Sequence, residues 1–475
     1  MPDRDLVAED LVFKTARELV HLMVTRQVSA REVLDAHLDQ IARVDPAVNA
    51  VVTRAPDRAR RMAEAADASI SRGVALGLLH GLPVLHKDLA ATEGMRTTQG
   101  SPIFRDAVPT YNTLVVQRLI DAGAVSLGKT NTPEFGTGSQ TYNEVFGATR
   151  NPYDTATTCG GSSGGAAVAL ACGMAPIADG SDMAGSLRNP ASFCNVVGLR
   201  PSIGRVPVWP SPQHHFTLGA HGAMARTVGD VALQMRVIAR PDGRAALNAP
   251  AVDFSLPLEC GVDGARIAWS DTLDGLPVDE RITRTLAPAK LLLADLGCRV
   301  EDREPDFSGA DESFSILRAA YYRQAFKQLY EERRGDLGES TTWEIEQGLA
   351  LTVDDLGRAE LLRSEVYDRL YAFLTEYRFL VAPVTQVPPF DVTEPWPRTV
   401  AGVKQTYYRE WMRICSRITL AGLPAISVPY GFTAEGHPTG LQIIGRQGDD
   451  LGVLRMAAAV EAATGTWRRA PETAL

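Results

Sequence analysis

One stretch constrains this chain more than any other: Cys159–Pro190, reading CGGSSGGAAVALACGMAPIADGSDMAGSLRNP. It sets two serines, Ser162 and Ser186, in glycine-rich surroundings, with a run of small and apolar residues from Gly165 to Ala178 between them. Without a Cβ the backbone takes positive φ and tolerates near contact, so such turns bring N–H groups and a short side chain close to a ligand. Residues Thr155–Ala178 carry no formal charge and are long enough to span a bilayer. Gly, Ser, Thr and Pro176 interrupt them, however, and bulky apolar residues are few. The expectation is a buried core helix flanked by two serine turns, and with it a pocket.

Around this stretch, helical and strand patterns alternate. Ser29 and Glu32 form a capping box for a helix bearing Leu34, Leu38 and Ile41, the second arm of an amphipathic hairpin that Pro46 is expected to end. Strands are expected in GLPVLHKDL (81–89), at 124–128, 196–199, 204–206, 265–269, 297–301 and 379–384, and in AISVPYGF (425–432) and GLQIIG (440–445). Helices are expected at 56–72, 113–122, 227–238, 280–296 and 452–463. This alternation predicts an α/β class fold, a single large α/β/α sandwich with a mixed central sheet surrounded by helices. No linker, charge block or repeat divides the 475 residues, so one domain over 1–475 is expected, with a helical, aromatic, substrate-capping insert at about 312–377.

The net charge of −9 argues against a nucleic-acid partner. Six scattered cysteines form no CxxC pair, which supports neither a zinc site nor a disulfide framework. The N-terminal MPDRDLVAED lacks the apolar core of a signal peptide, so a cytoplasmic protein without a membrane span is expected.

Several residues invite a chemical reading. Lys87, at the end of an apolar strand, is either a solvated charge or a buried amine able to act as a base. The Gly-, Asn- and Thr-rich segment 128–152 is a long loop of the kind that carries function, and Gly138 and Ser139 within it are candidate substrate contacts. Residues 208–222 read as a loop at the pocket rim, with Trp209 a further candidate contact; His214, His215 and His221 show no metal-ligand spacing. The sequence Gly160-Gly161-Ser162-Ser163-Gly164 satisfies GxSxG, which would make Ser162 the nucleophile of an α/β-hydrolase-like esterase. That pattern needs a strand immediately before it, and NPYDTATTC is not one. A phosphate loop would need a Lys-Ser/Thr ending that is absent.

A different reading joins Lys87 in HKDL, Ser162 in GGSSGG and Ser186 in GSDMAGSLRNP. With GKTNTPEF, FGATRNP (146–152), SDMAGSLRNPASFCNVVGLRPS, the MART run at 224–227, TLAGLPAISVPYGF and HPTGLQIIG, the ordered set resembles the amidase signature family of serine hydrolases over nearly the whole chain. The resemblance implies a Ser-cisSer-Lys triad in which Ser186 is the nucleophile, Ser162 the bridging serine and Lys87 the base. It also implies an oxyanion hole built from the backbone of Met183, Ala184, Gly185 and Ser186, with Asp182, Arg188 and Ser163 in support. The implied activity is hydrolysis of amide-type C–N bonds in a small amide or carbamate (urethane), with esters sharing the same acyl chemistry and no cofactor or metal required. The family's ammonia-transferring amidotransferase subunits give the alternative function, and monomer and homodimer both stay open. The chain departs from the family pattern at Ala184 and Ala223, where glycine and a Gly-Pro step are usual, and at Cys159, where proline is common. Because oxyanion donors are backbone groups, Ala184 is compatible with catalysis while narrowing the space above the loop.

Overall fold

The computed structural model describes residues 11–475. Eleven strands form one mixed sheet: β1 (Val51–Arg54), β2 (Pro83–Lys87), β3 (Val125–Thr130), β4 (Ile177–Asp182), β5 (Val197–Arg200), β6 (Ala220–Ala225), β7 (Arg266–Trp269), β8 (Arg299–Asp302), β9 (Phe379–Pro383), β10 (Ala425–Phe432) and β11 (Pro438–Ile444). Their spatial order is β1-β3-β2-β4-β6-β5-β10-β11-β9-β7-β8. The β2 strand runs parallel to both β3 and β4, whereas β4, β6, β5, β10 and β11 pair antiparallel in succession. Central strands such as β2 and β9 are buried along their whole length, which explains their continuous apolar runs.

Helices cover the sheet. The capping box at Ser29 and Glu32 opens α1 (Ala30–Val48). Pro46 does not end this helix as expected from the sequence: it lies inside the last turn, and Asn49 in the left-handed conformation, φ +56°, stops the chain. Asp45 explains the stop, since its carboxylate accepts the N–H groups of Ala50 and Val51 at 2.7 and 2.9 Å and draws the chain towards β1. Only part of the charge-free run forms a helix, α2 (Gly164–Ala171), every residue of which is buried; the run turns after Cys172, and its last residues, Ile177 and Ala178, open β4 instead. Three helices, α3 (Ala310–Arg333), α4 (Glu339–Leu349) and α5 (Val353–Glu376), make up the region 310–376.

Two further expectations are corrected. Residues 204–206 are a turn rather than a strand, because Gly204 has φ +78° and its Cβ-less backbone packs on Asn248 and Ala249. The 208–222 loop ends earlier than expected, and β6 takes Ala220–Ala225 between β4 and β5. The sequence AHGAMA has neither β-branched residues nor alternation; its pairing on both sides makes it a strand. Among the described residues no helix is long and apolar enough to cross a membrane, and all six cysteines are free, with Cys260 exposed.

Candidate active site

The three residues of the expected triad arrive from separate elements. Lys87 ends β2, Ser162 lies in the turn before α2, and Ser186 lies in the loop between β4 and the short helix Arg188–Phe193. Parallel pairing of β2 with β4, in register at Val84–Ile177 and Leu85–Ala178, carries Lys87 and the Ser181–Ser186 loop to the same end of the sheet.

Lys87 is 1% exposed. Its Nζ donates to Ser162 Oγ at 2.7 Å, Ser163 Oγ at 3.0 Å and Ser181 Oγ at 3.2 Å. Three hydroxyls also suit a neutral amine, which offers two N–H donors and one lone pair. Burial pushes the Lys87 amine down to about 7, against a smaller opposing pull from the carboxylates of Asp182 and Asp179.

The Gly161–Ser162 peptide is cis. The turn is held from several directions: Gly161 N–H donates to Asn189 Oδ1 at 2.9 Å, Thr141 Oγ1 to the Gly160 carbonyl at 2.9 Å, and Ser163 N–H to the Ser186 carbonyl at 3.1 Å. Gly160, at φ +73°, leaves room for Asn189, whose Oδ1 would lie 2.6 Å from a Cβ there.

Ser186 is half-buried, and its hydroxyl has no hydrogen-bond partner among the described residues. Ser162 and Ser186 line one cavity of about 290 Å³. The loop carrying Ser186 is built on Asp182, whose two oxygens accept the N–H groups of Gly185 and Leu187 at 2.9 and 3.1 Å. Arg188 grips the same carboxylate through Nε and Nη2, both at 3.0 Å, and also reaches Gln442 and Thr419. Burial alone would raise the Asp182 carboxyl; the charges of Arg188 and Arg200 outweigh it and hold the group well below the usual carboxylate range.

Within the expected oxyanion hole, the Gly185 N–H is thus already engaged by Asp182. The N–H groups of Met183, Ala184 and Ser186 donate to no protein acceptor among the described residues. Gly185 itself, at φ +112°, would place a Cβ 2.7 Å from Cys415 Cβ.

Trp209 lines the cavity. Gly138 and Ser139 do not: the Ser139 hydroxyl instead donates to the Pro395 carbonyl at 3.3 Å, so these two residues belong to the scaffold around the loop. The sequence reading overlooked Ser181, a third hydroxyl on Lys87, although it sits inside the GSDMAGS motif. The aromatic insert contributes Tyr321 and Tyr322 of α3 to the wall, in line with its expected place at the pocket, and beside them stands Arg318, which the sequence did not single out. Arg318 Nε donates to Glu344 Oε1 at 2.8 Å, Nη2 to Tyr408 OH at 2.8 Å, and Nη1 lies 2.9 Å from Met183 Sδ, tying α3 to the loop of Ser186.

A family model described as Amidase matches residues 32–454. The chain belongs to the amidase family. It is similar to an acylamidase of Rhodococcus erythropolis, 33% identical over 96% of this chain and 97% of that protein. It is also similar to a glutamyl-tRNA(Gln) amidotransferase component of Acidothermus cellulolyticus, 36% identical over 96% of this chain and 95% of the relative. Among solved structures, a bacterial aryl acylamidase of the amidase signature family superposes with a TM-score of 0.91 at 31% identity, covering 97% of this chain and 98% of that one. The likeness spans nearly the whole of this amidase-family chain, its sheet, its α3–α5 region and its serine turns alike.

Proposed function

We propose that this amidase-family chain hydrolyses amide-type C–N bonds through an acyl-enzyme on Ser186, with Ser162 as proton relay and Lys87 as base. The observation that carries the reading is the Lys87 Nζ at 2.7 Å from Ser162 Oγ, in a turn that opens onto the same cavity as Ser186. Serine attacks only when a positioned base removes its proton, and a lysine desolvated to about 7 is such a base at neutral pH.

Ser186 Oγ bonds to the carbonyl carbon as its proton passes to Ser162 Oγ and the Ser162 proton passes to Lys87 Nζ. The oxyanion is received by backbone N–H groups of Met183, Ala184 and Ser186, each such donor worth about 2.7–4 kcal/mol in the transition state. Collapse breaks the C–N bond as Lys87 returns the proton through Ser162 to the leaving nitrogen, releasing the amine. Water then attacks the ester carbon, giving up its proton by the same route, and the carboxylic acid leaves with Ser186 restored.

The wall of the cavity supports an aromatic substrate: Leu89, Leu114, Phe135, Trp209, Phe216 and Tyr321 line it, and Phe216 stacks on Tyr321 at 4.2 Å between ring centroids. The aryl acylamidase likeness supports the same class. Aryl carbamates present the same acyl carbon and leaving amine, so urethane cleavage belongs to this reading, as does side activity on esters. The amidotransferase relatives support a second reading, release of ammonia from glutamine. Glutamine carries an α-ammonium group, and the one carboxylate lining the cavity among the described residues, Asp182, is already engaged by Arg188 and Arg200. That observation favours the aryl amide.

A panel of acyl p-nitroanilides, primary amides, aryl carbamates, esters and glutamine, compared by kcat/KM, tests the reading. Anilides and aryl carbamates should lead. Glutamine hydrolysis that appears only with a partner protein would replace this reading with the amidotransferase one.

A further inference from the structure

Behind the base lies a buried polar cluster that the acyl transfer does not use. Alternation along β2 sends Lys87 and His86 to opposite faces of the sheet, and Asp179 of the neighbouring β4 lies on the His86 side. His86 Nδ1 is 2.5 Å from Asp179 Oδ2 and His86 Nε2 is 2.9 Å from Ser126 Oγ. An imidazole with its proton on Nδ1 satisfies both, donating to the carboxylate and accepting from the hydroxyl. The other carboxylate oxygen accepts the backbone N–H of Lys87 itself at 2.9 Å. His86, Lys87, Ser126 and Asp179 are all at most 1% exposed.

A carboxylate so deeply buried is costly unless paired. Burial raises the Asp179 carboxyl, and the contact with His86, the Lys87 N–H and the charge of Lys129 more than reverse that. Lys129 comes from β3 and is tied to the Ala90 carbonyl and to Thr92 Oγ1 at 2.7 Å; the charges of Asp179 and Lys87 act on His221 of β6, and that of Asp88 acts on Lys129. On the Lys87 side the other anion is Asp182, which two arginines already engage.

We propose that Asp179, oriented by His86 and Ser126, is a positioning residue of the reaction: it anchors the backbone of Lys87 and supplies, from the far face of the sheet, the negative charge against which Lys87 takes up the relayed proton. The inference rests on Lys87 being the base. An isolated buried amine resists protonation. Asp179 offsets part of that resistance, leaving the amine neutral enough to accept a proton and basic enough to hold it until the leaving group needs it.

The test is the pH dependence of kcat/KM, and of fluorophosphonate labelling of Ser186, in Asp179→Asn and Lys129→Met. Asp179→Asn keeps an acceptor for the Lys87 N–H and removes only the charge; His86 can answer by switching tautomer, with Ser126 Oγ accepting. Its acid limb should move to lower pH by about one unit. Lys129→Met removes a cation instead and should move the limb to higher pH. Opposite shifts are what a charge role requires and a packing role does not produce. Limbs that stay in place in both variants, whatever the loss of rate, overturn the inference. Should Asp179→Asn fail to fold, Lys129→Met decides by the same criterion. A wild-type rate that is flat from acid to alkali overturns the inference together with the Lys87 reading beneath it, and is distinguishable from a limb that is present but unmoved.

Discussion

Lys87 Nζ and Ser162 Oγ lie 2.7 Å apart although 75 positions separate them in the chain. The contact joins the end of a buried parallel strand to a turn that positive-φ glycine and Asn189 hold in place. On the proposed mechanism it makes the central serine of the GxSxG-like run an intermediary and leaves attack to Ser186, which lines the same cavity.

That division of labour predicts how two alanine substitutions differ. Ser186→Ala should lower kcat by on the order of 10⁴-fold or more and abolish fluorophosphonate labelling. Ser162→Ala should slow labelling but leave the adduct on the peptide containing Ser186. Mass mapping checks this, and an adduct on Ser162 in the wild type would make Ser162 the nucleophile after all.

The rate should follow the Lys87 amine. With its neutral form as the proposed base, kcat/KM is expected to climb with pH through a midpoint near 7 and level off above it. A stopped-assay profile on one anilide substrate in constant ionic strength measures this.

Burying that amine should also cost stability in a pH-dependent way. The folded-state value lies near 7 and the ordinary value at 10.5, so between these limits the unfolded chain binds more protons and wild-type stability rises with pH. Below about 7 both states are protonated and the cost is at its largest. Lys87→Met should therefore be inactive, with a Tm advantage over the wild type that is greatest near pH 6 and shrinks towards pH 10; differential scanning calorimetry across that range reads the trend.

Gly185→Ala should act on rate more than on folding. The added Cβ would stand 2.7 Å from Cys415 Cβ at a φ of +112°, so the loop must shift and take the Ala184 and Ser186 N–H groups with it. A displacement of that order costs on the order of 10²-fold in kcat. Thermal unfolding should show about 1–3 kcal/mol of destabilisation.

Much of the scaffold was readable because local chemistry and tertiary context agree. The capping box at Ser29 and Glu32 and the strands around Lys87 and at Ala425–Phe432 lie where pattern and turn residues put them, whereas the buried helix Gly164–Ala171 is shorter than the small apolar run that announces it, because Ile177 and Ala178 pair into the sheet. The strand Ala220–Ala225 was not readable, since small residues paired on both sides leave no periodic trace. Loop composition makes Gly138 and Ser139 candidates, yet the loop folds Gly138 against Pro133 and ties the Ser139 hydroxyl to the Pro395 carbonyl, and neither lines the cavity.

By itself the sequence determined that Lys87, Ser162 and Ser186 occur in the right order within glycine-rich and apolar settings, and that the chain between the serines must be buried. Tertiary structure alone decided which serines meet the Lys87 amine, that the Gly185 N–H is spent on Asp182, and that Asp179 and His86 stand behind Lys87. The reason is physical. Side-chain type and glycine content are local properties written in the chain, whereas proton affinity and hydrogen-bond partnership depend on which charges the sheet brings together out of water.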